Sequence, residues 1–170
     1  LLPEEDIIVV LTKNGYLKRM NDQTFRTQNR GGRGVKGIST TGGDIVSIML
    51  HTKTHTDILF FSSYGFVYRM RGYMIPDGAR DSKGMPAINL LNLEQDERIV
   101  AIVPCDDYDE NDFLFFATVN GVVKRTALSE FASIHSNGKR ALTLREGDEL
   151  LGVKRTNGKC IIGLASSNGK

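Results

Sequence analysis

The chain has 170 residues, of which 40% are hydrophobic and 25% are charged, the composition of one ordinary globular domain or two small ones, so disordered and fibrous proteins are excluded. Two cysteines cannot form a disulfide scaffold, and no apolar run approaches the roughly 20 residues of a membrane helix. The formal net charge of +2 does not by itself indicate a nucleic-acid partner.

This net charge hides an uneven distribution along the chain. Residues 86–112 contain one arginine and eight acidic side chains, so the remainder of the chain is strongly basic. The 18 glycines, against only 4 prolines, indicate many turns. The distribution of charge therefore reopens the possibility of a polyanionic partner.

The first predicted element is a β-hairpin at residues 6–20, in which the apolar run DIIVVLT is followed by Asn14-Gly15 and the run YLKRM. Asn-Gly is the preferred dipeptide of a type I′ turn, because both central residues then need positive φ. The pattern returns around Gly65 and Gly121, and its beginning returns near the end of the chain. The sequence thus predicts hairpins over 57–70 and 111–126 and a further start at 159–170.

Each repeat continues with a second pair of apolar runs, which begins at Gly34, Gly84 or Gly138. We expect a second hairpin there, hence four strands in about 50 residues, the size of a propeller blade. The predicted fold is all-β and propeller-like, with three four-stranded blades and the start of a fourth. We expect residues 1–170 to be one partial domain of a longer chain, with repeats at 1–50, 51–104, 105–156 and, truncated, 157–170.

The first repeat carries a glycine-rich basic insertion, QNRGGRGVKG, at residues 28–37. A dinucleotide-binding loop would need a helix at its last glycine, and the following ISTTGG cannot open one; a P-loop would need lysine where Ile38 stands. A solvated turn is the simplest alternative. The third repeat has no arginine in the corresponding segment, however, and glycines allow close approach to a phosphate backbone while Arg30, Arg33 and Lys36 supply donors.

The segment QNRGGRG resembles the seven-residue gyrase A box, which belongs to the C-terminal domain of the DNA gyrase A subunit. The stretches GYLKRM, ARDSKGMPAINLL, NGVVKRT and LREGDELLGV are also similar to that family, so the resemblance covers essentially the whole chain. Asn29 departs from the pattern, because the family usually has a basic residue there. The resemblance assigns DNA binding to Gln28, Asn29, Arg30, Gly31, Gly32, Arg33, Gly34 and Lys36.

The resemblance implies a β-pinwheel of about six blades whose rim wraps duplex DNA. In the family, the A subunit works with the B subunit in an A2B2 complex, and ATP-driven strand passage introduces negative supercoils. ATP and Mg are therefore expected elsewhere in the holoenzyme, with no cofactor and no catalytic residue in this chain. A cytoplasmic, nucleoid-associated location without a membrane partner is implied.

Basic residues also recur three or four positions beyond each hairpin glycine, and others occupy the later loops of the second and third repeats. In a propeller, equivalent positions lie on equivalent edges, which predicts a basic track for phosphate contacts. The alternative is that these are ordinary solvent-facing strand residues. The predicted rim residues are Lys18, Arg19, Arg69, Arg71, Arg80, Lys83, Lys124, Arg125, Lys139 and Arg140.

Other candidate sites are weaker. The acidic segment 107–118 lacks the glycine and the final glutamate of a calcium loop, and we expect the acidic stretch to be a solvated loop away from DNA. His51, His55 and Asp57 have metal-like spacing but no fourth ligand, and Cys160 is most simply a core residue.

Three rival functions remain. The closest is the related C-terminal domain of topoisomerase IV, which shares the fold but characteristically lacks an intact box. A propeller used for protein contacts is a second, in which the rim charges are incidental. A dinucleotide-dependent enzyme is the third.

Overall fold

The computed structural model describes residues 2–23, 43–135 and 137–156, which form eleven β-strands in three antiparallel sheets. The chain divides into two compact units whose boundaries fall at Ile58/Leu59, Arg69/Met70 and Glu94/Gln95. The first sheet lies in one unit, and the main parts of the other two sheets lie in the second unit. The predicted all-β fold is confirmed for the described residues.

The first sheet has the strand order β3-β1-β2-β6. Its strands are β1 (Asp6–Thr12), β2 (Tyr16–Asn21), β3 (Val46–Lys53) and the two-residue β6 (Met85–Pro86). All of β1 beyond its first residue is buried, which explains why its sequence is continuously apolar and does not alternate.

The second sheet has the order β10-β5-β4-β7, with β4 at Asp57–Ser62, β5 at Phe66–Arg71, β7 at Ile99–Cys105 and β10 at Lys139–Arg140. The third has the order β11-β8-β9, with β8 at Phe113–Thr118, β9 at Val123–Ala127 and β11 at Leu150–Thr156. Short 3₁₀ turns at Gly72–Met74, Ala87–Asn89 and Leu128–Phe131 connect the strands.

The three predicted first hairpins are confirmed, but their turn type is not I′. The N–H of Gly15 donates to the carbonyl of Thr12 (3.0 Å), and Gly15 has φ +88° while Asn14 does not have positive φ. The loop therefore has three residues with a left-handed glycine last. Gly65 and Gly121 close the other two hairpins in the same way.

The prediction of a second hairpin is wrong for the second and third repeats; in the first repeat its first strand lies outside the described residues. In the second repeat, β6 pairs with β2 of the first sheet, whereas β7 is the neighbour of β4 in the second sheet. The 3₁₀ turn Ala87–Asn89 and the turn around Asp96 separate these strands. The outer strand of a sheet is thus supplied by the following repeat: β10 extends the second sheet by pairing with β5.

Three phenylalanine rings pack together in the core of the second unit. The rings of Phe61, Phe116 and Phe131 lie 5.4–6.1 Å apart, two of the three pairs being edge-to-face, and all three side chains are buried. The first unit has its own cluster, in which Ile8 and Val10 of β1 pack with neighbouring strands.

Two buried carboxylates accept hydrogen bonds from the backbone of hairpin turns. Asp44 Oδ1 accepts the N–H of Asn14 (3.1 Å), and Asp148 Oδ1 accepts the N–H of Asn120 (3.0 Å). The two acids occupy the same place in the first and third repeats, directly after a glycine with positive φ. Each carboxylate therefore provides a hydrogen-bond acceptor for a backbone N–H group of the turn.

Candidate nucleic-acid interface

The box residues Gln28, Asn29, Arg30, Gly31, Gly32, Arg33, Gly34 and Lys36 lie outside the described residues, as do the segments 34–40 and 157–170 and Cys160. The ten predicted rim residues are all described. They separate into three groups: one buried cation, three cations that bind parts of their own unit, and six near the surface.

Lys18 is the buried cation, with only 1% of its surface exposed. Its ammonium donates to the carbonyls of Ala79 (2.8 Å), Arg80 (2.9 Å) and Ser82 (2.8 Å). An ammonium has three N–H donors, so none remains for a phosphate. The prediction that Lys18 is exposed on the rim is therefore wrong; the side chain organises a loop.

The burial of Lys18 also affects its charge. Desolvation lowers the pKa of this ammonium below the usual lysine value, and the nearby carboxylate of Asp81 partly opposes that shift. The three carbonyl dipoles compensate the buried charge by hydrogen bonding.

Arg19 and Arg69, at equivalent positions of the first two repeats, bind backbone carbonyls. Arg19 Nε donates to Ile75 O (2.7 Å), and Arg69 donates to Ala132 O (3.0 Å) and Ile134 O (3.3 Å). Both are only partly exposed. These contacts favour a structural role, and a DNA contact by either residue stays a prediction.

Arg71 is more exposed than these two arginines but has an ionic partner. Its Nε lies 3.0 Å from Asp57 Oδ1, and its guanidinium also donates to the carbonyl of His55 (3.3 Å). The positive charge at this position is therefore largely neutralised within the first unit.

Most of the remaining predicted rim cations are exposed, and four of them lie over aromatic rings. Lys83 Nζ is 4.5 Å from the centroid of the Tyr16 ring, and Arg140 Cζ is 4.7 Å from that of Phe66. Tyr16 and Phe66 each follow a hairpin glycine directly, so the arrangement repeats. Such rings attract and orient a cation while leaving its outer side in solvent.

In the third sheet, Arg125 Cζ lies 4.3 Å from the centroid of the Phe113 ring, and Lys124 is exposed beside it on β9. On β10, Lys139 Nζ donates to Glu130 O (2.7 Å) and lies 5.9 Å from the ring of Phe131. Arg80, the sixth member of the group, is partly exposed on the loop that Lys18 binds.

The aromatic partners were not predicted from the sequence, although an aromatic residue directly after the glycines at 15 and 65 was a visible signal. Two further arginines were also overlooked: Arg98 and Arg155 are paired with Glu149 (3.0 Å) and Asp112 (2.6 Å). Of the two acidic partners, Asp112 belongs to the acidic stretch and Glu149 lies outside it.

Glu97, predicted to belong to a solvated loop, is instead buried. It accepts a hydrogen bond from the hydroxyl of Tyr68 (3.0 Å). The prediction of a solvated position is therefore wrong for this residue.

The three residues with metal-like spacing serve other contacts. His51 Nδ1 lies 3.5 Å from Asp22 Oδ1, His55 Nε2 is 2.7 Å from the carbonyl of Leu2, and Asp57 pairs with Arg71. Within the described ranges, no three potential ligands are grouped as a metal would require. No helix among those residues is long and apolar enough to cross a bilayer.

Comparison with protein families identifies the fold and its relatives. The family described as "DNA gyrase C-terminal domain, beta-propeller" matches residues 6–52, 56–106 and 112–157. The chain belongs to this family. The three matched segments follow the three hairpin repeats, and the gap between the second and third matches falls in the acidic stretch.

Relatives of this gyrase-domain chain carry the name of the DNA gyrase A subunit. That of Ureaplasma parvum is 49% identical over 99% of the chain, and that of Halalkalibacterium halodurans is 49% identical over 93%. The chain spans only about a fifth of these relatives' length (20% and 19%). Among solved structures, the C-terminal domain of DNA topoisomerase IV matches 93% of the chain and 48% of its own, with TM-score 0.77 and 26% identity.

Proposed function

We propose that this chain is a DNA-wrapping domain of a DNA gyrase A subunit, which bends duplex DNA along a basic surface. Family membership and the relatives named for that subunit support this function. The observation that carries the proposal is the repeated placement of surface cations over aromatic rings, at Lys83, Arg125 and Arg140. Cations fixed in this way suit phosphate contacts, which hold DNA without reading its sequence.

The proposed DNA surface comprises the box and the surface cations that the sequence predicted. The box supplies Arg30, Arg33 and Lys36 on a glycine-rich segment where a phosphate backbone can approach closely. The other members are Arg80, Lys83, Lys124, Arg125, Lys139 and Arg140.

The surrounding protein is also part of the proposal. We infer that the chain is one partial propeller domain of a gyrase A subunit, which joins the gyrase B subunit in an A2B2 complex. There, ATP-dependent strand passage, with Mg, would introduce negative supercoils into the DNA that this domain wraps. The holoenzyme would act as a DNA topoisomerase in the cytoplasm, associated with the nucleoid.

The C-terminal domain of topoisomerase IV is the second candidate, because a solved domain of that name superposes with TM-score 0.77. The box sequence QNRGGRG and the relatives at 49% identity favour the gyrase interpretation. A propeller for protein contacts would bind DNA no more strongly than any protein of its charge.

The first test measures how DNA affinity depends on salt. Each phosphate contact contributes about 0.9 to the slope of log K against log salt. We expect the variant Lys124→Ala/Arg125→Ala/Lys139→Ala/Arg140→Ala to have a slope shallower by up to about 3.6. The control is Arg98→Ala/Arg155→Ala, which removes cations already paired with acids and should leave the slope unchanged. Equal slopes for all three proteins would reject the proposed surface.

The second test measures wrapping. The chain is added to relaxed circular DNA at low salt, a topoisomerase relaxes the unconstrained turns, and the linking number is read after deproteinisation. We expect a linking-number change with the native chain and its loss with Arg30→Ala/Arg33→Ala/Lys36→Ala. Unchanged linking number with the native chain would reject wrapping, and a change that survives the triple variant would reject the role of the box.

A further inference from the structure

The loop from Ala79 to Lys83 is built around the ammonium of Lys18. Three carbonyls of the loop, those of Ala79, Arg80 and Ser82, converge on Lys18 Nζ at 2.8–2.9 Å. Three backbone carbonyls from four consecutive residues rarely point to one place by chance, because each peptide must adopt a particular orientation. The lysine therefore determines the shape of the loop.

Further hydrogen bonds fix the ends of this loop. The N–H of Ser82 donates to Ala79 O (3.1 Å), and so does the Ser82 hydroxyl (2.8 Å). Before the loop, the N–H of Gly78 donates to Arg19 O (3.0 Å) on β2. The loop is thus attached to the strand that also carries Lys18.

The shaped loop presents the cations of the proposed DNA surface. Arg80 itself supplies one of the three bound carbonyls, and Lys83 directly follows Ser82, which supplies another. Lys83 is exposed, with its ammonium over the Tyr16 ring. Loss of the Lys18 contacts would leave both cations on a loop that is attached at its ends but has lost the three hydrogen bonds at its centre.

We propose that Lys18 is a positioning residue: it contacts no DNA itself but holds residues 79–83 as a preordered phosphate-binding loop that presents Arg80 and Lys83. This inference rests on the proposed function. A preordered loop loses less conformational entropy when it binds, so its two cations contact the phosphates more tightly than on a mobile segment.

The repeat provides a matched control. Lys124 stands at the same position after its hairpin glycine as Lys18, but it is exposed on β9. Lys18→Met and Lys124→Met are therefore the same chemical change at equivalent positions. We expect Lys124→Met to lower the salt slope of duplex-DNA binding by about 0.9, the loss of one contact.

We expect Lys18→Met to lower that slope by up to about 1.8, two contacts, although the lysine itself is buried. The same loss is expected for Arg80→Ala/Lys83→Ala, and adding Lys18→Met to that pair should cause no further loss. Amide hydrogen exchange should accelerate at Ser82 but not at Val9 of β1, which shows that the loop alone has loosened.

Three outcomes would contradict the inference that Lys18 acts through the loop. A Lys18→Met slope equal to that of the native chain, or a loss that adds fully to that of Arg80→Ala/Lys83→Ala, means that Lys18 does not act through the loop. Faster exchange at Val9 as well means that its role is general stability. A native chain with no salt-dependent DNA binding rejects the proposed function instead, so the two failures are distinguishable.

Discussion

Replacement of Gly65 by alanine should lower the free energy of unfolding more than the same change at Gly121. The two residues close equivalent hairpins with nearly equal φ, +85° and +91°. A Cβ on Gly121 would meet nothing within 4 Å, whereas one on Gly65 would lie 2.5 Å from the carbonyl oxygen of Leu142. The pair therefore separates the cost of left-handed backbone from the cost of a backbone collision.

The magnitudes follow from these contacts. Both variants pay about 1–2 kcal/mol for an L-residue in left-handed conformation. Gly65→Ala must also move Leu142, which strains or breaks the hydrogen bonds from the N–H groups of Ala141 (2.8 Å) and Leu142 (3.1 Å) to Gly65 O. At about 0.5–1.5 kcal/mol each, these raise its total to about 2–5 kcal/mol.

Urea denaturation followed by circular dichroism measures both free energies of unfolding, with the native chain as reference. We expect Gly121→Ala to lose only the strain contribution. If the two variants are equally destabilised, the packing of the Gly65 turn against Leu142 contributes nothing and the reasoning is refuted.

Three further results are expected. Hydrogen bonds from the Thr118 side chain and the backbone of Asn120 and Glu149 hold the pKa of Asp148 below its usual value, despite the opposing effect of burial. Stability from Asp148 is thus present above about pH 4 and lost as pH falls further; acid unfolding that is unchanged by Asp148→Asn would contradict this. Phe61→Ala should cost about 3–5 kcal/mol in urea denaturation, and a cost below about 1 kcal/mol would show that its contacts with Phe116 and Phe131 are loose. Phe66→Leu should weaken DNA binding by about two- to fivefold through Arg140, and no change would exclude a role for the ring.

The hairpins could be predicted from the sequence because their signals are local. An apolar run, a turn with glycine and a second run lie within about 15 residues, and the repeat shows them three times. The predicted turn type is wrong because the Asn-Gly preference applies to two-residue loops, in which both residues have positive φ. Here the loop has three residues, and Gly15 has positive φ whereas Asn14 does not.

Two features could not be predicted in this way: the outer strand that each following repeat supplies to a sheet, and the burial of Lys18. Two residues such as Met85–Pro86 give no periodicity, and their pairing with β2 joins segments that are far apart in the sequence. A lysine after a hairpin glycine is expected to be exposed in every repeat. Only the convergence of three distant carbonyls distinguishes Lys18 from Lys124, and that is a property of tertiary structure.

The late arrival of β6 has a consequence during synthesis. The ribosome makes the chain from its N-terminus at ~5–20 residues per second, so β6, at Met85–Pro86, follows the end of β3 at Lys53 by roughly 2–7 s. For most of that interval the outer edge of β2 offers unpaired N–H and C=O groups to any other strand, because Pro76 and Gly78, which bond Arg19 of β2, are also made late in it. The nascent first sheet is thus open to mispairing with a neighbouring chain on the same messenger RNA until β6 of the second repeat has been made and pairs with β2.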